Sequence, residues 1–547
     1  MISKSLRTLK GPFKGRTHPP RYSFHKYWAR KPSNVIEEHL EHYTEPGDLV
    51  LDPFCGSGVS VIEALILGRR AIGIDLNPIA VEIASITMNP PEESDLHEAF
   101  EYLQQSVGVE IKREMQIPCP RCGSKVDIKY RVWASVATCP HCSNEQVLAR
   151  PGEKTRRISF CAQCKGRLSS SSVTHDRLFS LAVDCKDCAT KNSLFTADGI
   201  SPLAKGLGEP FICNERIMSY KGLCLGDLFI EENWRHLTSL KRAVSNLSGK
   251  VKRVFSLILT ANLAQASRLI PYRKNLSSGG PAWTVPGFWV PKLHLQMNLW
   301  RSFTSRFKRV SRAMKDSRLC LFTDRAAREG RVELGDARST GLEDESVDYI
   351  ITDPPYGDSV PYLEFSQLWT SFLSTEANYE REIVISNSKE RKKDLPKFAR
   401  ELEEAFKEMW RVLKRDRFLT CFFQNRSLSV WKALGDAAHS AGFHLDSVGV
   451  LEPAVVSAKS QLARLGSLTG DVVLQFRKLP RGWSKSRGKP GDWMGLARKT
   501  AVLEKNRLGD KASFEALATA VLIELWREGM ICGEGDLASL LSDFIDS

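Results

Sequence analysis

No stretch of this chain holds the roughly 20 uninterrupted apolar residues that a membrane span requires. The basic N-terminus has no apolar run behind it, so no secretory signal is readable and the protein is expected in the cytoplasm, without a membrane partner. Acid is in short supply: Asp and Glu total 64 against 78 Lys and Arg, a net charge of +14. The deficit is steepest between Val251 and Arg331, where 16 Lys or Arg face three acids, Asp316, Asp324 and Glu329. Such a cationic stretch points to a polyanionic partner. No internal repeat is visible apart from two similar cysteine sets.

What is present is a large globular chain. At 547 residues, 42% hydrophobic and 26% charged, it has room for two to four domains on the usual prior of about 100 to 200 residues each. A helix is expected from about Ser33 to His42 with Ser33 as its N-cap, after the basic and aromatic run His25 to Pro32. Then Gly47 to Gly58, an apolar stretch through Leu67, and Ala71 to Pro78 read as strand, glycine turn, helix and strand. In such a unit glycines let the backbone approach a ligand, and an acid ending the second strand, here Asp75, can hold a ribose diol. The turn Asp52-Pro53-Phe54-Cys55-Gly56-Ser57-Gly58 lacks the Gly-x-Gly-x-x-Gly of nicotinamide binders and the Lys-Ser or Lys-Thr that grips phosphates, which argues against dinucleotides and nucleoside triphosphates.

The rest of the chain is organised around Asp353-Pro354-Pro355-Tyr356-Gly357, which follows the strand-like run Val347 to Thr352. Two prolines remove two backbone donors and stiffen the turn. A planar substrate with an exocyclic amine suits it: Asp353 and the Pro354 carbonyl accept the amine hydrogens, and Tyr356 stacks on the ring.

Of fourteen cysteines, eight form four Cys-x-x-Cys pairs inside 70 residues. Cys119, Cys122, Cys139 and Cys142 make one set, with 16 residues between the inner pair. Cys161, Cys164, Cys185 and Cys188 make the second, with 20. Four thiolates from two turns close a tetrahedral structural zinc site, so two zinc ribbons are expected, one per set in chain order. His141 and His175 are expected at the surface, and Cys55, Cys213, Cys224, Cys320, Cys421 and Cys532 in the core.

Around these motifs the chain divides into 1–90 with the glycine turn, a helical bridge 91–116, the ribbons 117–190, a basic region 191–330, a sheet region 331–480, and a linker with helical tail 481–547. In the basic region Tyr272, Arg273, Lys274, Trp283, Phe288 and Trp289 occupy a Gly- and Pro-rich loop able to follow a nucleic-acid backbone. Behind it, Leu299, Trp300, Phe303, Phe307, Val310 and Met314 mark an amphipathic helix whose stripe reads as core and whose basic face is reserved for nucleic acid. Strands at 331–334, 347–352, 418–423, 444–451 and 471–477 and helices at 395–413 and 428–441 are expected to build an open α/β sheet. The tail helices are expected at 514–528 and 537–544.

The two motifs together resemble the amino-group DNA methyltransferases, and the ribbon set resembles the zinc-ribbon adenine-specific methylases of prokaryotes. The resemblance implies a Rossmann-like S-adenosylmethionine-dependent methyltransferase sheet with an inserted zinc-ribbon and recognition region. It implies Asp52, Phe54, Gly56 and Gly58 as the S-adenosyl-L-methionine loop, Asp75 at the ribose, and Gly335-Asp336-Ala337 at the cofactor's adenine. Tyr27 to Pro32 would lie near its methionine end. Asp353, Pro354, Pro355 and Tyr356 would be catalytic, acting on a flipped base in DNA, adenine N6 in preference to cytosine N4. Other subunits of a restriction or defence system are further candidate partners. An RNA guanine-N2 methyltransferase and a non-catalytic zinc-ribbon nucleic-acid binder remain as alternatives.

Overall fold

The structure, a computed structural model, describes residues 8–9, 11–152, 160–218, 220–273, 287–322, 329–452, 470–480, 492–509, 514–528 and 541. Strands β2 (Leu49–Asp52) and β3 (Arg70–Asp75) flank helix α2 (Val59–Ile66), as the apolar runs and the glycine turn predict. Gly58 adopts φ +81°, and a Cβ there would lie 2.6 Å from the Ala84 Cβ. Helix α1 (Ser33–Tyr43) starts at the expected Ser33, but its N-cap lies one residue earlier than expected: Pro32 occupies it, and Ser33 is helical and buried. Asn77 caps α3 (Pro78–Met88) by accepting the Ile79 amide at 3.0 Å, with Pro78 in the first turn.

With β1 (Phe13–Lys14), β10 (Gly330–Leu334), β11 (Val347–Thr352), β12 (Leu413–Phe423), β13 (His444–Glu452) and β14 (Asp471–Arg477), these strands form an eight-stranded sheet. Its order is β1-β13-β14-β12-β11-β2-β3-β10. All pairings are parallel except those of β14, which runs antiparallel to β12 and β13. The chain crosses from β2 to β3 on one side and later returns to place β11 on the other. The crevice of such a sheet lies beyond the carboxyl ends of the strands at that reversal. β1 lies in a segment to which the sequence assigns no strand; it pairs Phe13 with Leu451 at the sheet edge.

Between α3 and β10 the insertion begins with α4 (Glu93–Leu103) and α5 (Val109–Glu114), joined by a π turn. A second, six-stranded sheet follows: β4 (Gln116–Pro118), β5 (Lys125–Thr138), β7 (Val173–Cys185) and β8 (Thr190–Pro202) in that order, with β6 (Glu145–Val147) and β9 (Leu293–Met297) also on β5. The boundary expected at 190 is therefore not a structural one, since β8 and β9 from the basic region complete the sheet of the cysteine region. Helices α6 (Glu231–Ser245), α7 (Gly249–Ala266) and α8 (Leu299–Leu321) complete the insertion. Phe255 of α7 and Phe303 and Phe307 of α8 join Ile79 and Ile83 of α3 and Trp369 of α9 (Tyr362–Leu373) in one core.

The stripe of α8 is buried as expected, but much of its basic face is engaged. Arg306 donates to the carbonyls of Phe24 and Ala261, and Arg301, Lys315 and Arg318 pair with Asp184, Glu93 and Glu92. Lys308 and Arg309 are exposed, as is Arg312.

α10 (Leu395–Val412) and α11 (Leu428–Ala441) cover one face of the main sheet. The C-terminal helices Trp493–Leu508 and Phe514–Arg527 belong to that core: Ala497, Leu517, Val521 and Trp526 pack with Trp431 and Phe476. Of the expected helix at 537–544, all but residue 541 lies outside the described residues.

Candidate active site and cysteine clusters

The carboxyl ends of β2, β3, β10 and β11 open onto a shared cavity. Asp52 ends β2 and ties three elements together: its carboxylate accepts from the Ser60 hydroxyl on α2, the Thr352 hydroxyl on β11 at 2.7 Å, and the Phe54 amide at 3.1 Å. Burial pushes its carboxyl up to about 6. Asp75 ends β3 and accepts the Gly56 and Asn77 amides, each at 2.8 Å and each on a different oxygen. Each oxygen keeps a lone pair for a further donor, which fits a vicinal diol. Burial pushes this carboxyl up to about 7. A Cβ on Gly56 would lie 3.0 Å from the Tyr27 ring, so the loop rests against Tyr27.

Gly335, Asp336 and Ala337 line the same cavity beyond β10. The Asp336 carboxylate is already committed: Arg338 donates from Nη2 at 2.7 Å and Nε at 2.9 Å, and Arg381 lies at 3.2 Å. These hydrogen bonds and charges hold it ionised below the usual carboxylate range, despite partial burial. A side-chain contact from Asp336 to adenine would have to compete with two guanidinium groups.

Asp353 and Pro355 face the cavity, while Pro354 is buried. The Asp353 carboxylate receives the Tyr356 hydroxyl on Oδ1 and the Lys31 ammonium on Oδ2 at 3.0 Å. Lys31 also reaches Asp471 at the start of β14, at 2.9 Å, and the Tyr356 hydroxyl. Burial, opposed by Lys31 and reinforced by Asp471, pushes the Asp353 carboxyl up to about 7. Tyr356 departs from the expected stacking platform. Its ring is 4% exposed, edge-on to Phe423 at 5.4 Å, with the Lys31 ammonium 5.1 Å from its centre. Stacking on a base would require that ring to turn out.

Lys31, Asp471, Tyr362 and Glu382 are site residues to which the sequence reading gives no role of their own. Lys31 sits in Arg30-Lys31-Pro32, part of the stretch resembling an element near the cofactor. Nothing in the sequence around Asp471 marks it, because its place comes from the antiparallel insertion of β14. Tyr362 and Glu382 line the cavity, and Tyr362 stacks on Tyr27 at 5.9 Å.

The insertion reaches this site as well. Asn214 donates to the buried Glu364 on α9. The Gln367 side chain accepts the Ile212 amide at 2.6 Å. Arg216 binds both the carbonyl and the carboxylate of Asp358, two residues past Tyr356, at 2.8 and 2.9 Å. Lys274 and Trp283 of the basic loop lie outside the described residues.

The eight paired cysteines form two clusters, but not in the expected combination. Cys119 and Cys122 join Cys185 and Cys188, and Cys139 and Cys142 join Cys161 and Cys164. The cause is the length of β5. Its 14 residues put the two knuckles flanking it about 45 Å apart at 3.3 Å per residue, far beyond the reach of one ion. Antiparallel β7 then brings Cys185 back to Cys122. Sulfur separations are 3.5 to 3.8 Å between opposed knuckles. Tetrahedral zinc with bonds of about 2.3 Å requires an edge of about 3.8 Å.

Each knuckle has a left-handed residue just after its second cysteine: Gly123, Ser143, Lys165 and Ala189. Among the described residues neither His141 nor His175 joins a cluster. Cys55, Cys224 and Cys421 are buried, Cys213 and Cys320 half-buried, and Cys532 lies outside the described residues.

The reversed last strand and the cavity at the switch point define the class: the main sheet has the fold of the S-adenosylmethionine-dependent methyltransferases. Residues 7–85 match the family model described as DNA methylase, and over that stretch the chain is similar to that family. The match includes the Asp52 to Gly58 loop and Asp75, but neither Asp353 nor the eight paired cysteines. Type II methyltransferase M1.MboII of Moraxella bovis is 44% identical over 62 residues, 11% of this chain and 24% of that protein. The putative methylase YubD of Escherichia coli K12 is 39% identical over 64 residues, 12% and 25% of the two chains. The chain thus spans about a quarter of the length of these relatives.

Among solved structures, an S-adenosylmethionine-dependent methyltransferase of Methanosarcina mazei aligns over 81% of this chain and 97% of its own, at 10% identity and TM-score 0.24. A putative DNA modification methylase of Thermus thermophilus, complexed with S-adenosyl-L-methionine, aligns over 37% and 74%, at 15% identity and TM-score 0.17.

Proposed function

We propose that this protein is an S-adenosylmethionine-dependent DNA methyltransferase acting on the exocyclic amine of a flipped-out base, adenine N6 in preference to cytosine N4. The observation that carries the reading is that Asp75 and Asp353, the ends of two different motifs, face one cavity. The residues present fit the cofactor: Asp75 has an acceptor site left on each oxygen, and the carboxylate-rich wall suits a cation.

When bound, the cofactor supplies a methyl group on a sulfonium, electrophilic enough that the amine needs orientation more than activation. Asp75 and the Gly56 turn hold the ribose end, and Arg30, Lys31 and Tyr27 border the cavity. Asp353 would accept a hydrogen bond from the target amine, aim its lone pair, and stabilise the positive charge that develops on nitrogen. The surplus proton leaves the nitrogen for the Asp353 carboxylate or solvent. Tyr356 supports Asp353 through its hydroxyl in this state. A base in a duplex cannot reach Asp353, so flipping is required, at about a few kcal/mol.

Zinc in the two cysteine clusters would be structural, since four thiolates leave no open coordination position. The exposed Lys308, Arg309 and Arg312 of α8 provide a phosphate-binding face. The test is incubation of purified protein with labelled S-adenosylmethionine and DNA or RNA, then digestion and mass spectrometry of the nucleosides. N6-methyladenine in DNA is expected. N4-methylcytosine would correct the base, N2-methylguanine in RNA the polymer, and no product would overturn the reading.

A further inference from the structure

Lys31 is 8% exposed, a rare position for a lysine unless it is paired, and its pairing converges on the proposed catalytic acid. Its ammonium lies 3.0 Å from Asp353 and 2.9 Å from Asp471, and it meets the Tyr356 hydroxyl. These partners come from distant places: Lys31 precedes α1, Asp353 and Tyr356 follow β11, and Asp471 opens β14. Asp353 is held from both sides, Oδ2 by Lys31 and Oδ1 by Tyr356. A planar carboxylate with one donor on each oxygen has a set rotation, and Lys31 and Asp353 both border the cavity.

We propose that Lys31 and Asp471 are positioning residues of the methyl-transfer centre: the shared ammonium sets the orientation and charge of the Asp353 carboxylate, and Asp471 sets the strength of that hold. The proposal rests on the methyltransferase reading above. Two carboxylates share one ammonium: burial raises the proton affinity of Asp353, Lys31 opposes that rise and Asp471 adds to it. The other titratable groups facing Asp353 are Tyr356 in its own turn, Tyr362 on α9 and Cys421 on β12. All three are pushed up by burial, with the Asp353 charge adding to the effect, and so stay neutral. Removing Lys31 leaves two like charges together, whereas neutralising Asp471 relieves the repulsion. The two changes act on Asp353 in opposite directions, which a merely structural lysine would not produce.

The experiment is the pH profile of single-turnover methyl transfer for the wild-type protein, Lys31→Met and Asp471→Asn. The acid limb, near pH 7 in the wild type, moves up by about one unit or more in Lys31→Met and down in Asp471→Asn, as expected for loss of an opposite or a like charge. Cofactor affinity by calorimetry stays within about threefold in Asp471→Asn, whose side chain does not line the cavity. Limbs that stay in place, or move in the same direction, overturn the proposal. Should Lys31→Met not fold, the downward shift in Asp471→Asn decides alone.

If the wild type transfers no methyl group, the functional reading fails, and thermal unfolding against pH still tests the lock. A carboxyl raised in the folded state makes stability fall as pH rises from its unfolded value near 4 to its folded value. In Lys31→Met that fall extends above pH 7, and in Lys31→Met/Asp353→Asn the extension disappears. Persistence in the double variant means that another group is responsible, and the lock is overturned.

Discussion

Asp75 and Asp353 are both pushed up to about 7 by burial, yet their neighbours divide their roles. Asp75 accepts the backbone amides of Gly56 in the glycine turn and of Asn77, so in the proposed function its loss acts on cofactor binding. Asp75→Ala removes charged-acceptor hydrogen bonds of about 1.5 to 3 kcal/mol each and is expected to weaken S-adenosylmethionine at least about tenfold in calorimetry. Asp353→Ala is expected to abolish transfer while changing cofactor affinity little, because its contact is with the amine in the transition state. Transfer at the wild-type rate by that variant would remove the turn from the active site. Both acids also shape the pH dependence of stability. Their folded values exceed the unfolded value near 3.9, so at these two positions the folded state binds more protons, and the stability they contribute falls between about pH 4 and 7, then levels off. In melting temperatures across that range, Asp75→Asn should gain on the wild type as pH rises from about 4 to 7.

Among the elements, the β5–β7 pair decides how the cysteines are used. Each knuckle is local, shaped by the residue at positive φ behind its second cysteine. Which knuckles share an ion follows from strand length and antiparallel pairing. Metal analysis should give about two zinc per chain. Cys119→Ser/Cys185→Ser, both in one cluster, should retain about one, whereas Cys119→Ser/Cys139→Ser should lose both. The reverse result would restore the pairing in chain order. Because such ions contribute folding energy, chelation is expected to lower the melting temperature of the whole chain, which shares one core with the insertion.

At the scale of the molecule, the insertion carries the strongly basic stretch and touches the segment just past the proposed catalytic turn. Arg216 on Asp358 and Asn214 on Glu364 join the region that would meet DNA to the loop that would receive the base. Replacing Lys308, Arg309 and Arg312 together with alanine should weaken DNA binding regardless of sequence. It should also flatten the dependence of log affinity on log salt by up to about 0.9 for each phosphate no longer neutralised. An unchanged slope in fluorescence anisotropy would move the phosphate-binding face elsewhere.

The βαβ unit, the two prolines after a buried strand and the Cys-x-x-Cys knuckles are legible from residue order, because each is set by neighbours a few positions apart: apolar period, left-handed glycines, fixed φ at proline. The contacts that make a site of them are different in kind. Lys31 meets Asp353 and Asp471 only because the sheet places β14 antiparallel beside β12. Tyr356 lies buried because Lys31 and Phe423 close over it, and the C-terminal helices are core because Trp431 and Phe476 are uncovered without them. The cysteines change partners because a 14-residue strand stands between knuckles that follow one another in sequence. Local chemistry needs only local spacing, whereas partner choice depends on strand order and register, which are decided when the whole core is buried at once.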